Sequence, residues 1–155
     1  MRLATFKIQG QQEPTVGAFW KELYVDLSTL TGGELPRSML EFLKAGEPAM
    51  SKARSALEGV GAELEAADPA KLEAARGKRY AYRPGEIELM APVPRPGKII
   101  HTACNFDAHL GELTTWKQPE WESHHWKDFH FEHPTGFLQA PSSVVPSGAR
   151  AGSCG

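Results

Sequence analysis

Seven residues constrain this chain more than any others: Ala91-Pro92-Val93-Pro94-Arg95-Pro96-Gly97 places prolines at three alternate positions and closes on a glycine. Each proline removes a backbone donor, fixes its own φ near about −65°, and biases the residue before it toward extended backbone. Such a segment cannot continue a helix or lie in the middle of a sheet. It suits a rigid passage from one packed body to the next. The chain of 155 residues is therefore expected to divide near residue 92, into domains 1–92 and 93–155.

Before that passage the hydrophobic pattern changes period twice. Leu3–Ile8 alternates, with Leu3, Thr5 and Lys7 on one side and Ala4, Phe6 and Ile8 on the other. Thr15–Trp20 and Leu23–Leu27 are two more short runs rich in Val, Phe, Trp and Tyr, and Gly10–Pro14 is a polar turn. Strands linked this tightly can only be antiparallel neighbours. From Leu35 the spacing becomes helical: Met39, Leu40, Phe42 and Leu43 form a stripe, with Pro36 at a helix start and Gly46 just past its end. A second helix is expected from Pro48 to about Leu64, carried by Met50, Ala53, Leu57 and Val60 and weakened by Gly59 and Gly61. A third is expected to begin at Asp68-Pro69, as N-cap and first turn, and to end near Gly77. Tyr80–Met90 returns to strand alternation, broken by Pro84-Gly85, and Lys98–Ile100 is a short strand after the passage. The fold class this implies is α+β: a small N-terminal α+β domain, then more strand.

Charge and composition narrow the function. The net charge is −2 with both signs scattered, so no positive field draws a nucleic acid. No apolar run approaches the ~20 residues that span a bilayer, so no membrane-spanning helix is expected. The opening Met1-Arg-Leu-Ala-Thr-Phe-Lys7 lacks a signal-peptide core, so a cytoplasmic location is expected. Cys104, beside an apolar run, reads as a buried reduced thiol, while Cys154, in the last residues, is incidental.

Two segments carry a resemblance. Arg95-Pro-Gly-Lys-Ile-Ile-His-Thr-Ala-Cys-Asn-Phe-Asp-Ala-His-Leu-Gly-Glu112 and Phe137-Leu-Gln-Ala-Pro-Ser-Ser-Val-Val145 resemble the start of the catalytic domain of the fumarylacetoacetate hydrolase family. There Pro-Gly-Lys precedes a strand, Asn-Phe or Asn-Tyr and His-x-x-Glu, and Phe-x-Lys-Pro-Pro-Ser-Ser-Val-Val follows. Met1-Arg-Leu-Ala-Thr-Phe6, Val25-Asp-Leu27 and Leu35-Pro-Arg-Ser-Met-Leu40 resemble the family's N-terminal domain. The resemblance implies that residues 93–155 are an incomplete fragment of a mostly β, mixed-sheet roll.

It also implies a chemistry, with His109 and Glu112 as the catalytic pair. At i and i+3 of a helix the two share a face, so imidazole can take a proton from water while the carboxylate orients it and stabilises the imidazolium. The implied activity is a metal-dependent hydrolase or lyase that cleaves a carbon–carbon bond in small β-dicarbonyl or 2-oxo acids, as in aromatic catabolism, or a related isomerase or decarboxylase. The implied cofactor is Mg²⁺, or Mn²⁺ or Ca²⁺, stabilising an enolate. The family is commonly dimeric, so a homodimer is the expected assembly.

The sequence departs from the family where the metal should sit. The family's Glu-x-Glu and Asp ligands lie on strands after Pro-Ser-Ser, which this chain does not contain. Glu120 and Glu122 form a Glu-x-Glu but precede Pro141-Ser-Ser143, and are rejected as the pair. Gln139 stands where the family has Lys, and Pro146–Gly155 is small and featureless. The chain is thus expected to be truncated and inactive alone. The alternative is a non-catalytic remnant or partner-binding domain. Residues 116–133 gather three Trp and four His (His124, His125, His130 and His133) with interleaved acids; a loop over the cleft is expected there rather than a metal site.

Overall fold

The computed structural model describes residues 1–74, 76–103, 106–113, 115, 132–146 and 148–149. The chain forms two compact units: Met1–Arg95 with the segment from Val144, and Pro96–Ser143.

The first unit is α+β. Strands β1 (Arg2–Ile8), β2 (Thr15–Trp20) and β3 (Leu23–Asp26) follow one another as the sequence predicts. With β6 (Ala81–Tyr82) and β7 (Ile87–Leu89) they make a five-stranded sheet in the order β6-β3-β2-β1-β7. Every pairing in it is antiparallel. The register sets Leu3 opposite Ala18 and Thr5 opposite Val16, so these share one face. That face packs on Val25, Leu27, Phe42, Ala53 and Leu57, all fully or almost fully buried. The other face carries Phe6, Ile8 and Tyr82, with Phe6 edge-on to Tyr24 at 5.5 Å. Gly17 permits this, because a Cβ there would meet the Phe6 ring and the Val25 carbonyl at 2.4 Å.

The helical region follows the sequence closely. Helix α2 (Met39–Ala66) is interrupted at Gly46, whose φ of 62° and ψ of −143° are not helical. Pro48 restarts it, as the Gly-x-Pro spacing predicts. Ala49, Ala53, Leu57 and Leu64 then recur on one buried face. Leu40 and Leu43 depart from the expected stripe and stay exposed, because the run before Gly46 is only about two turns long and buries Met39 and Phe42.

Two elements differ from expectation. Leu27 begins the short helix α1 (Leu27–Leu30) instead of ending β3. The buried Asp26 caps it: its carboxylate accepts from the Thr29 amide at 3.0 Å, the Thr29 hydroxyl at 2.9 Å and the Thr15 hydroxyl at 3.0 Å. The third helix is only one turn, Pro69–Lys71, although Asp68 does cap it through the Ala70 amide at 3.1 Å. The alanine-rich stretch beyond becomes the hairpin of β4 (Glu73–Ala74) and β5 (Lys78–Arg79). Tertiary hydrogen bonds override helix propensity here: Tyr80 N–H donates to the Leu72 carbonyl and Asp26 N–H donates to the Tyr80 carbonyl.

In the second unit, β8 (Ile99–Thr102) pairs antiparallel with β9 (Gly136–Gln139), and α3 (Asp107–Leu113) lies between them in sequence. The parallel pairing that a mixed sheet requires is not present among the described residues. Among them, too, no helix is long and apolar enough to cross a membrane.

Candidate functional site

The expected catalytic pair sits on α3, where Asp107 places a negative charge in the first turn, the favourable end for one. The His109 amide donates to the Phe106 carbonyl at 3.0 Å, anchoring the start of the helix. One turn on, His109 Nδ1 lies 3.2 Å from Glu112 Oε2. An ionised carboxylate can only accept, so in a neutral imidazole this contact selects the tautomer with its proton on Nδ1 and the lone pair on Nε2. The side chains are 44 % and 73 % exposed, so the pair is wet and owes its geometry to helical spacing rather than to enclosure.

The strands on either side of α3 in sequence bring a residue the sequence reading did not single out. His101, opposite Phe137 in the β8–β9 register, stacks on that ring at 5.0 Å with the planes 10° apart. Its Nε2 is buried and has no hydrogen-bond partner among the described residues. The only signal in the sequence is a histidine directly after Ile99-Ile100, where a strand would hold it against the opposite chain. Gly136 is required beside it, since a Cβ would meet the His101 carbonyl oxygen at 2.5 Å.

Gln139, standing where the resemblance expects Lys, is held by a local network. Its Nε2 donates to Ser143 Oγ at 2.6 Å, and that hydroxyl donates to the Ala140 carbonyl at 2.8 Å. The Pro-Ser-Ser segment is thus a closed 3₁₀ turn, Pro141–Ser143. Cys104, Asn105, Glu120, Glu122, His124, His125 and His130 lie outside the described residues, as does Cys154. His133 is described and exposed.

A magnesium ion wants close to six oxygen donors in octahedral array. His109 and Glu112 offer one carboxylate and one imidazole, already bonded to each other. Among the described residues no three His, Cys, Asp or Glu gather to hold a metal. The described residues therefore do not make a site for that metal.

No family model matches this chain. It is similar to a curated enzyme, the oxaloacetate tautomerase Fahd2a, mitochondrial, of Rattus norvegicus. The two are 32 % identical over 114 residues, which cover 72 % of this chain. The chain spans about 30 % of that protein's length.

Proposed function

We propose that this chain belongs to an enzyme of the fumarylacetoacetate hydrolase family, acting on small 2-oxo or β-dicarbonyl acids by proton transfer at the carbon beside the carbonyl. The observation that carries the reading is the His109–Glu112 contact at 3.2 Å, in the segment that the sequence resemblance selects. The relative's name favours tautomerisation over cleavage as the first reaction to test.

The step is simple to balance. His109 Nε2 takes a proton from the carbon next to the 2-oxo group, and the C–H electron pair becomes the new carbon–carbon double bond. The carbonyl oxygen takes the charge and is protonated in turn by the imidazolium, giving the enol. Glu112 holds Nδ1–H throughout and offsets the transient positive charge. Carbon–carbon cleavage asks more, because a carbanion must depart, and the enolate stabilisation for that comes from a cation in the family. The described residues do not gather ligands for one.

Keto–enol conversion of oxaloacetate, followed by enol absorbance, tests this. The inactivity expected of the chain alone concerns cleavage, which needs the absent ligands; proton transfer does not, so the chain is expected to accelerate this conversion over buffer, and His109→Ala to remove that acceleration, up to the ~10²–10⁴-fold typical of general acid–base catalysis. Acylpyruvate cleavage is expected to stay at background. Acceleration unchanged in His109→Ala would sink the dyad; rapid cleavage would show that metal ligands lie where none are described. A second reading, a non-catalytic domain that binds a partner, is favoured by the exposure of both dyad side chains, and an absence of any acceleration would select it.

A further inference from the structure

Among the described residues of the first unit, six cations have an acid to face. Lys21, Lys44, Lys52, Arg54, Arg79 and Arg83 each pair with a carboxylate. Arg37, Arg76 and Lys78 do not, and these three line a single cavity of about 260 Å³. The rest of its wall is Ser28, Thr29 and the Gly32-Gly33 turn, with no carboxylate.

The chain brings them together in two steps. Helix α1 stops in a Schellman arrangement, with Gly33 N–H donating to the Ser28 carbonyl at 2.8 Å and Gly32 N–H to the Thr29 carbonyl at 3.1 Å. Gly32 and Gly33 both hold positive φ, which turns the backbone back and leads it on toward Arg37. The β4–β5 hairpin then presents Arg76 and Lys78 from the other side. These helix-end carbonyls are already bonded, so they do not account for three cations gathering there. Arg76 is itself in the left-handed region, at φ 71°, where a residue with a Cβ costs energy and glycine does not. The nearest hairpin acid, Glu73, approaches Gly77 but does not line the cavity.

We propose that this cavity binds a compact anion carrying two or more negative charges, of the phosphate or small polycarboxylate kind. Two guanidinium forks can each grip a pair of oxygens, Lys78 adds a third cation, and the Ser28 hydroxyl, on a residue 7 % exposed, is an unused donor. Thr29 is not a donor here, since its hydroxyl already serves Asp26. The volume holds a group of that size and excludes a large ligand.

Titration calorimetry on the whole chain at low ionic strength decides it, with inorganic phosphate, pyrophosphate and citrate as probes. Saturable binding of one equivalent is expected, and competition between pyrophosphate and citrate ranks the two sources of charge. Arg37→Gln with Lys78→Gln should weaken binding by roughly tenfold or more, as loss of charged hydrogen bonds does. Arg76→Gly should weaken it while the melting temperature holds or rises, because glycine relieves the backbone; that separates lost binding from lost folding. Lys44→Gln, which only breaks the Lys44–Glu41 pair, should bind as wild type. No saturable binding at concentrations up to ~1 mM, or equal weakening in Lys44→Gln, overturns the proposal. Binding confined to long polyanions such as heparin or RNA also overturns it, and would make the patch a surface for macromolecules.

Discussion

The first unit buries Phe6, Val16, Val25, Leu27 and Phe42 completely, whereas the β8–β9 ribbon of the second leaves Ile100 72 % and Leu138 71 % exposed. Both regions are built from alternating strands, and both have the apolar residues to make a core. They differ in what covers the strands. In the first, a break at Gly46 and a restart at Pro48 let α2 lay Ala49, Ala53 and Leu57 along one face of a five-stranded sheet. In the second, Ile100 and Leu138 are register partners and stand side by side, but two strands alone give them little to pack on. An isolated two-stranded ribbon is marginal in water, so the ribbon's apolar face is worth little until something buries it. The same pattern of residues thus yields a core in one place and an uncovered face in the other.

The sharpest way to break this comparison is to remove one large apolar side chain from each region. Phe42→Ala should cost ~3–5 kcal/mol, the range for deleting a fully buried aromatic, and shift the urea midpoint strongly. Leu138→Ala should stay within ~0.5 kcal/mol, as an exposed side chain does. Equal shifts in the two variants would mean that the second unit buries its ribbon after all.

A middle-sized effect tests how the first unit closes its second edge. Arg79 grips Glu86 with both guanidinium nitrogens, at 2.7 and 2.6 Å, and lies over the Tyr82 ring at 4.7 Å. The hydrogen bonds from Arg79, with a further one from the Arg83 amide, pull the Glu86 carboxyl down from 4.5 to about 2. A folded value below the unfolded one means stability that is present above pH ~4.5 and is lost as pH falls toward about 2. With the Glu86 side chain 35 % exposed, solvent screening brings the expected loss to ~1 kcal/mol. Denaturant melts from pH 6 down to pH 2.5 should therefore slope downward for wild type and less steeply for Glu86→Gln. Parallel curves would show that this bridge does not hold the edge.

Legibility in the sequence followed locality. The strands β1 to β3 and the break and restart of α2 could be read because neighbouring residues decide them: alternation, a glycine at positive φ, a proline at a helix start. The stretch after Lys71 was misread because Leu72 and Tyr80 answer to partners outside their own segment, and a run of alanine, leucine and glutamate cannot announce that. That error had a consequence. With a helix expected up to Gly77, nothing suggested that Arg76 and Lys78 would meet Arg37. On α3 the i, i+3 spacing was enough to bring His109 to Glu112. The half-buried ring of His101 was not legible, since its stack on Phe137 depends on a register between segments more than thirty residues apart.

The smallest expected effect concerns that dyad, and it guards the functional reading. An exposed i, i+3 pair is worth roughly 0.2–0.5 kcal/mol, so His109→Ala and Glu112→Gln should each melt within about half a kcal/mol of wild type. The contrast with Phe42→Ala is then informative in both directions. If the dyad variants keep their melting point but lose oxaloacetate tautomerisation, the loss belongs to chemistry and not to folding. Glu112→Gln should lose less rate than His109→Ala, because the amide can still accept from Nδ1–H but cannot stabilise the imidazolium as a carboxylate does. The double variant should be little slower than His109→Ala alone, as expected when two residues act as one unit. A large drop in stability on removing either would instead place the pair in packing that its exposure does not reveal, and the rate measurements would no longer speak for a general base.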